Sequence, residues 1–254
     1  GAPRPATPAA AAAGAGVVFS MLADDAALRA AVLEGALAAM QPGAVLVEAS
    51  TISPALSAEI AAACAARGLG YLRAPVSGSV GFAEAGKLTV LASGPAQVYA
   101  DVLPLLQAFS ARQVHVGEGC EARVMKLALN MMVGLTAAMM AEALALGQRS
   151  GLSREVMLDV IGASAVASPL VGYKLAMLRR GDYAPAFEAR MMAKDFDLAL
   201  AAAHAVAAPL PLTAQVREGF AALIARGDGD ADFFKYVELA ASLAGLGKQG
   251  PEQA

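Results

Sequence analysis

The stretch EARVMKLALNMMVGLTAAMMAEALALGQRS, residues 121–150, is the segment around which the chain is read. It holds no charged residue from 127 to 141, and Leu, Met and Ala are strong helix formers, so it predicts a long helix apolar nearly all round and therefore buried. Lys126 brings one ammonium to this helix. Asn130, four residues on, projects from the same face one turn later and sets an amide beside the amine. Two readings stand at this point. In the structural one Lys126 snorkels to the surface and Asn130 caps a neighbouring backbone; in the functional one the pair is a site.

Ahead of this helix the pattern alternates. Thr7 and Pro8 start a small helix, with a break at Gly14 and Gly16; a strand follows over 17–22, and Asp24 caps a helix reaching about Met40. The cycle repeats with a strand over 44–47, a helix begun by Ser53 and Pro54 and stopped near Gly68, and a strand over 71–74. A glycine-containing loop, a strand over 88–92, a helix after Pro95 and a last strand over 113–116 complete this half. Strands alternating with helices argue for parallel βαβ units whose strands are buried on both faces. From Glu121 onward the patterns are all helical, with further helices beginning near Ser153, Gly172, Ala189, Leu212 and Asp232. The expected fold is an α/β Rossmann-like domain over 1–119 followed by an all-helical domain over 120–254, joined by the shared helix and meeting in a cleft.

The composition narrows the function classes. A chain of 254 residues with 57% hydrophobic residues and mean hydropathy +0.55 can bury an ample core. Net charge is -3 and no Lys/Arg cluster can neutralise a run of phosphates, which argues against nucleic acid. The two cysteines, Cys64 and Cys120, and the two histidines, His115 and His204, show no ligand spacing. Reduced thiols, a cytoplasmic setting and no metal are expected. The charge-free run over 5–23 is mostly alanine with Pro8, Gly14 and Gly16, and that over 198–216 is broken by Pro209 and Pro211, so neither reads as a membrane span.

Four stretches, in this order and spacing, carry a resemblance: STISP at 50–54, APVSGSVGFAEAGKLTV at 74–90, MKLALNMMVG at 125–134 and FEARMMAKDFDLAL at 187–200. Together they resemble the β-hydroxyacid dehydrogenase superfamily, the group of 3-hydroxyisobutyrate dehydrogenase, tartronate semialdehyde reductase and the glyoxylate/succinic semialdehyde reductases, with a helical part like that of 6-phosphogluconate dehydrogenase. The resemblance implies an NAD- or NADP-dependent oxidoreductase acting on a small carboxylic acid, and a homodimer or homotetramer formed through the helical domain. It casts Lys126 as general acid/base and Asn130 as a holder of substrate oxygens. By the same resemblance Ser77 and Gly78 bind the substrate carboxylate, Leu22, Ala23 and Thr51 line the cofactor, and Lys194 reaches it from the helical domain. The chemistry suits Lys126, because an ammonium can stabilise and protonate the oxygen on which charge builds as hydride reaches a carbonyl carbon.

The chain also departs from the family pattern. Ser79 replaces a usual second glycine, Ala23 a usual proline, and Cys120 and Ala122 stand where glycines often precede the lysine. The family's opening strand and GxGxxG phosphate turn are not found, so the sequence reads as lacking a strand-helix-strand-helix unit and as a weak binder of dinucleotide. An alternative reading is a catalytically silent fragment serving as a helical dimerisation or binding module.

Overall fold

The computed structural model describes residues 4–247, which divide between Ala128 and Leu129 into two compact units. The division falls inside the long helix, whereas the change from strands to helices falls between Gly117 and Glu121.

The first unit is α/β. Its first three strands, β1 (Val17–Ser20), β2 (Val45–Glu48) and β3 (Gly70–Arg73), pair in parallel in that order, with Ser20 opposite Glu48 and Glu48 opposite Arg73. Local caps start the intervening helices as the sequence predicts. Thr7 Oγ1 accepts from Ala10 N at 3.1 Å, Asp24 Oδ1 from Ala27 N at 2.8 Å, and Ser53 Oγ from Leu56 N at 3.1 Å. Asp24 opens a continuous helix over 25–39 whose middle, Arg29–Ala36, is π-type, a feature with no local sequence signal. With α1 (Pro8–Ala12), α2 (Asp25–Leu28) and α3 (Leu37–Ala39) before it, Ser53 opens α4 (Pro54–Ala66), and α5 (Val80–Glu84) and α6 (Ala96–Gln107) follow.

All four residues of β2 are buried, and successive side chains enter opposite faces of the sheet. Val45 and Val47 pack with Leu72, Val90 and Val102 on one face, while Leu46 packs with Ile60, Cys64 and Tyr71 on the other. Both faces are therefore covered, and each such side chain contributes about 1.5–3 kcal/mol of transfer free energy. The sheet then changes direction. Short β4 (Val76–Ser77) and β5 (Leu88–Ser93) pair antiparallel, with Ser77 opposite Thr89, and β5 also runs antiparallel to β3. A last strand, β6 (Ser110–Gly117), lies parallel to β5. The parallel expectation holds for β1 to β3 and gives way here, because the loop after Pro75 turns the chain back on itself.

The long helix α7, Glu121–Arg149, matches the helix predicted over 121–150 nearly residue for residue. Among the described residues it is the one helix long and apolar enough to cross a membrane by length and composition. Its first turns are tied to groups of the α/β unit, but it is only partly covered: Met132, Met139 and Leu146 are exposed, where its all-round apolar sequence predicts burial.

The second unit is all helix: α8 (Arg154–Ala163), α9 (Pro169–Arg180), α10 (Ala189–Ala205), α11 (Pro211–Ala225), a 3-10 turn (Phe233–Lys235) and α12 (Tyr236–Leu243). Ala137, Met140, Ala141 and Leu144 of α7 share its core with Met192, Phe196, Phe220 and Phe234. Gly134 permits that packing, since a Cβ there would stand 2.5 Å from Phe196 Cε2.

Candidate active site

The residues expected on the cofactor side sit at the carboxyl ends of parallel strands, where ligands bind in open α/β sheets. Leu22 and Ala23 follow β1 and Thr51 follows β2; Leu22 N donates to Ser50 Oγ at 2.8 Å, which joins the two loops. Ala23 is exposed and Leu22 and Thr51 are half-buried. Ser53 donates from N and Oγ to Asp25 at 2.9 and 2.5 Å and ties the same loops a second time.

Ser77 ends β4 half-buried, and Gly78 follows it exposed. Gly78 has φ +141°, and a Cβ there would lie 2.7 Å from Leu88 Cδ2, so the glycine is required by both conformation and space. Ser79 is extended, with φ -81° and ψ 175°, a conformation any residue adopts; its replacement of glycine costs the loop nothing.

Lys126 is half-buried on the second turn of α7. That helix starts under several ties within the α/β unit. Ala122, fully buried, donates from N to Ser93 Oγ at 3.2 Å, and Glu121 Oε2 accepts from Gly119 N at 2.7 Å. The strongest tie was not anticipated from sequence. Arg123, 1% exposed, meets the fully buried Glu48 in a close ion pair and donates from Nη1 to Ser50 O at 2.5 Å. Burial is the main influence on the Glu48 carboxyl and pushes it above its ordinary range, against the pull of Arg123. Tyr71, raised chiefly by burial, Ser57 and Arg73 complete a polar cluster beneath the helix. A sequence signal did exist: Glu48 is a carboxylate ending a strand buried on both faces, and such a charge needs a partner.

In the helical unit Asn130 is buried and its Nδ2 donates to Asp195 Oδ2 in a close contact. Lys194 Nζ lies 3.1 Å from Asp195 Oδ1. The structure thus gathers Asn130 and Lys194 around one buried carboxylate, a grouping absent from the sequence reading. A second buried ion pair, Lys174 with Asp232 at 2.6 Å, was also missed; Asp232 further accepts from Ala186 N and Phe234 N, which marks it as a loop anchor. Among the described residues no group of three or more His, Cys, Asp or Glu side chains is placed to hold a metal ion.

Known proteins match the same two halves. Residues 1–117 match the NAD binding domain of 6-phosphogluconate dehydrogenase, and residues 120–240 match the NAD-binding domain of NADP-dependent 3-hydroxyisobutyrate dehydrogenase. A 3-hydroxyisobutyrate dehydrogenase of Pseudomonas aeruginosa is 38% identical over 226 residues, spanning 85% of this chain and 76% of that protein. The chain belongs to the β-hydroxyacid dehydrogenase superfamily. A second member of that superfamily, glyoxylate/succinic semialdehyde reductase 1 of Arabidopsis thaliana, is 31% identical, covering 87% of this chain and 77% of the relative. The crystal structure of 3-hydroxyisobutyrate dehydrogenase from Salmonella typhimurium superposes with TM-score 0.85 at 29% identity, over 92% of this chain and 82% of that one. Like other members of the superfamily the chain is an oxidoreductase fold with NAD or NADP as its cofactor, and the two binding-domain matches divide it where its strands give way to helices.

Proposed function

We propose that the chain interconverts a small β-hydroxyacid and its aldehyde or keto acid in the manner of 3-hydroxyisobutyrate dehydrogenase, with Lys126 as general acid/base. The observation that carries this reading is the placement of Lys126. Its ammonium stands three residues after Arg123, on a helix start pinned to the loop that bears Thr51. The nicotinamide, when bound, gives or takes the hydride. As the substrate oxygen gains charge, Lys126 Nζ donates it a proton; in the oxidative direction the neutral amine takes the hydroxyl proton. Ser77 Oγ and the backbone N–H groups near Gly78 hold the carboxylate, and Asn130 orients the reacting oxygen. Exposed Met132, Met139 and Leu146 on α7 support a homo-oligomer formed through the helical unit.

The test is fluorescence titration with NADH and NADPH, followed by turnover of 3-hydroxyisobutyrate, glyoxylate, succinic semialdehyde and tartronate semialdehyde. One of the two cofactors binds, weakly, and at least one substrate turns over. Lys126→Met lowers kcat about 10²–10⁴-fold while cofactor affinity stays within a factor of about three. Activity retained in that variant removes Lys126 from its role. Failure to bind either cofactor leaves the helical binding module as the better account.

A further inference from the structure

Arg123 is bound more tightly than a helix start requires. Its guanidinium donates from Nη1 to Ser50 O at 2.5 Å, from Nη2 to Glu48 O at 3.2 Å and Tyr71 Oη at 3.4 Å, and from Nε to Ser57 Oγ at 3.4 Å, besides its close ion pair with Glu48. Ser50 is the junction: its N donates to Glu48 Oε1 at 2.6 Å, its O accepts from Arg123, and its Oγ accepts from Leu22 N at 2.8 Å. One arginine on the first turn of α7 is therefore linked, through one serine, to both loops that carry Leu22 and Thr51. Burying such a pair gains little stability over apolar side chains of the same size, because desolvation offsets the attraction. Its effect is directional, since a forked guanidinium donates in one plane and so fixes the rotation of its helix.

We propose that Arg123, held by Glu48 and Ser50, is the positioning residue for Lys126, setting the ammonium's height and rotation against the loops that carry Leu22 and Thr51. The inference rests on the reading of Lys126 given above. Lys126 follows Arg123 by three residues, so the two side chains leave neighbouring turns of one face. A rotation of the helix start carries both.

The deciding variants of the full chain are Arg123→Met, Arg123→Lys and the apolar pair Glu48→Met/Arg123→Met. Arg123→Met alone strands a buried carboxylate and melts early. The double variant removes charge from both sides and regains the melting temperature, which separates folding from positioning. In it, kcat falls about 10²-fold, as expected of a misplacement near 1 Å, while KM and the NADH dissociation constant change less than about threefold. Amide hydrogen exchange over residues 121–127 quickens about tenfold relative to the rest of α7, and Arg123→Lys recovers part of both effects. A double variant with kcat and exchange close to those of the unmodified chain overturns the proposal. If the unmodified chain turns over no substrate, or Lys126→Met stays active, the Lys126 reading fails instead; exchange at 121–127 then decides whether Arg123 fixes this turn, and unaltered exchange rejects it.

Discussion

Asn130 and Lys194, 64 residues apart in sequence, converge on the two oxygens of Asp195 inside the helical unit, Asn130 through Nδ2 and Lys194 at 3.1 Å. Asp195 is 1% exposed, and a charge so buried needs partners such as these. Asn130→Leu keeps the volume and removes the amide. Stability should fall by about 1–3 kcal/mol, the cost of leaving a buried acceptor unmade. Urea denaturation measures this, and a variant as stable as the unmodified chain would show that Asp195 does not depend on Asn130.

A methyl group at Gly134 is the second test. The Cβ would stand 2.5 Å from Phe196 Cε2 and 3.0 Å from Met192 Sδ, both on buried side chains of α10. Gly134→Ala should cost about 1–3 kcal/mol through overpacking, despite alanine's better helix propensity. Adding Phe196→Leu should return part of the loss. If Gly134→Ala stabilises the protein instead, the close approach of these helices is not real.

Gly78 offers a functional counterpart. With φ +141° and Leu88 2.7 Å from any Cβ, Gly78→Ala must shift the loop that follows Ser77. The KM for the carboxylic substrate should rise about tenfold, equivalent to about 1.4 kcal/mol, with the NADH dissociation constant unchanged. Steady-state kinetics with both measured on one preparation will decide; a KM that does not move detaches this loop from substrate.

The Glu48 carboxyl predicts a pH dependence. Burial raises it above its ordinary range in the folded chain, so the folded state holds its proton over a window in which the unfolded state has lost it. Stability from this group is present at low pH and is lost as pH rises through the raised value. Arg123→Met removes the opposing pull and widens the window upward. The melting temperature of Arg123→Met should therefore drop further below that of the unmodified chain at pH 8 than at pH 5. A gap independent of pH would mean that Glu48 does not titrate in this range.

Much of the local structure was legible in the sequence. Thr7, Asp24, Ser53 and Ser153 cap the helices they were expected to cap, because a cap is settled within four residues. The Rossmann-like half and the helical half followed from the change of period at Glu121. The four motif stretches pointed to Lys126, Ser77, Gly78 and Thr51 as site residues, and the fold sets Leu22 and Thr51 in adjoining loops at the carboxyl ends of β1 and β2.

Local pattern did not carry strand direction or long-range pairing. β5 has the same apolar signature as β1 to β3 yet, with β6 parallel beside it, runs the opposite way, since hydrophobic periodicity is blind to polarity along the strand. Glu48 and Arg123, 75 residues apart, read separately as a strand end and a helix start. Only the folded chain brings them together, because the cost of burying either charge is met by the other, and that balance exists only once β2 and α7 are packed.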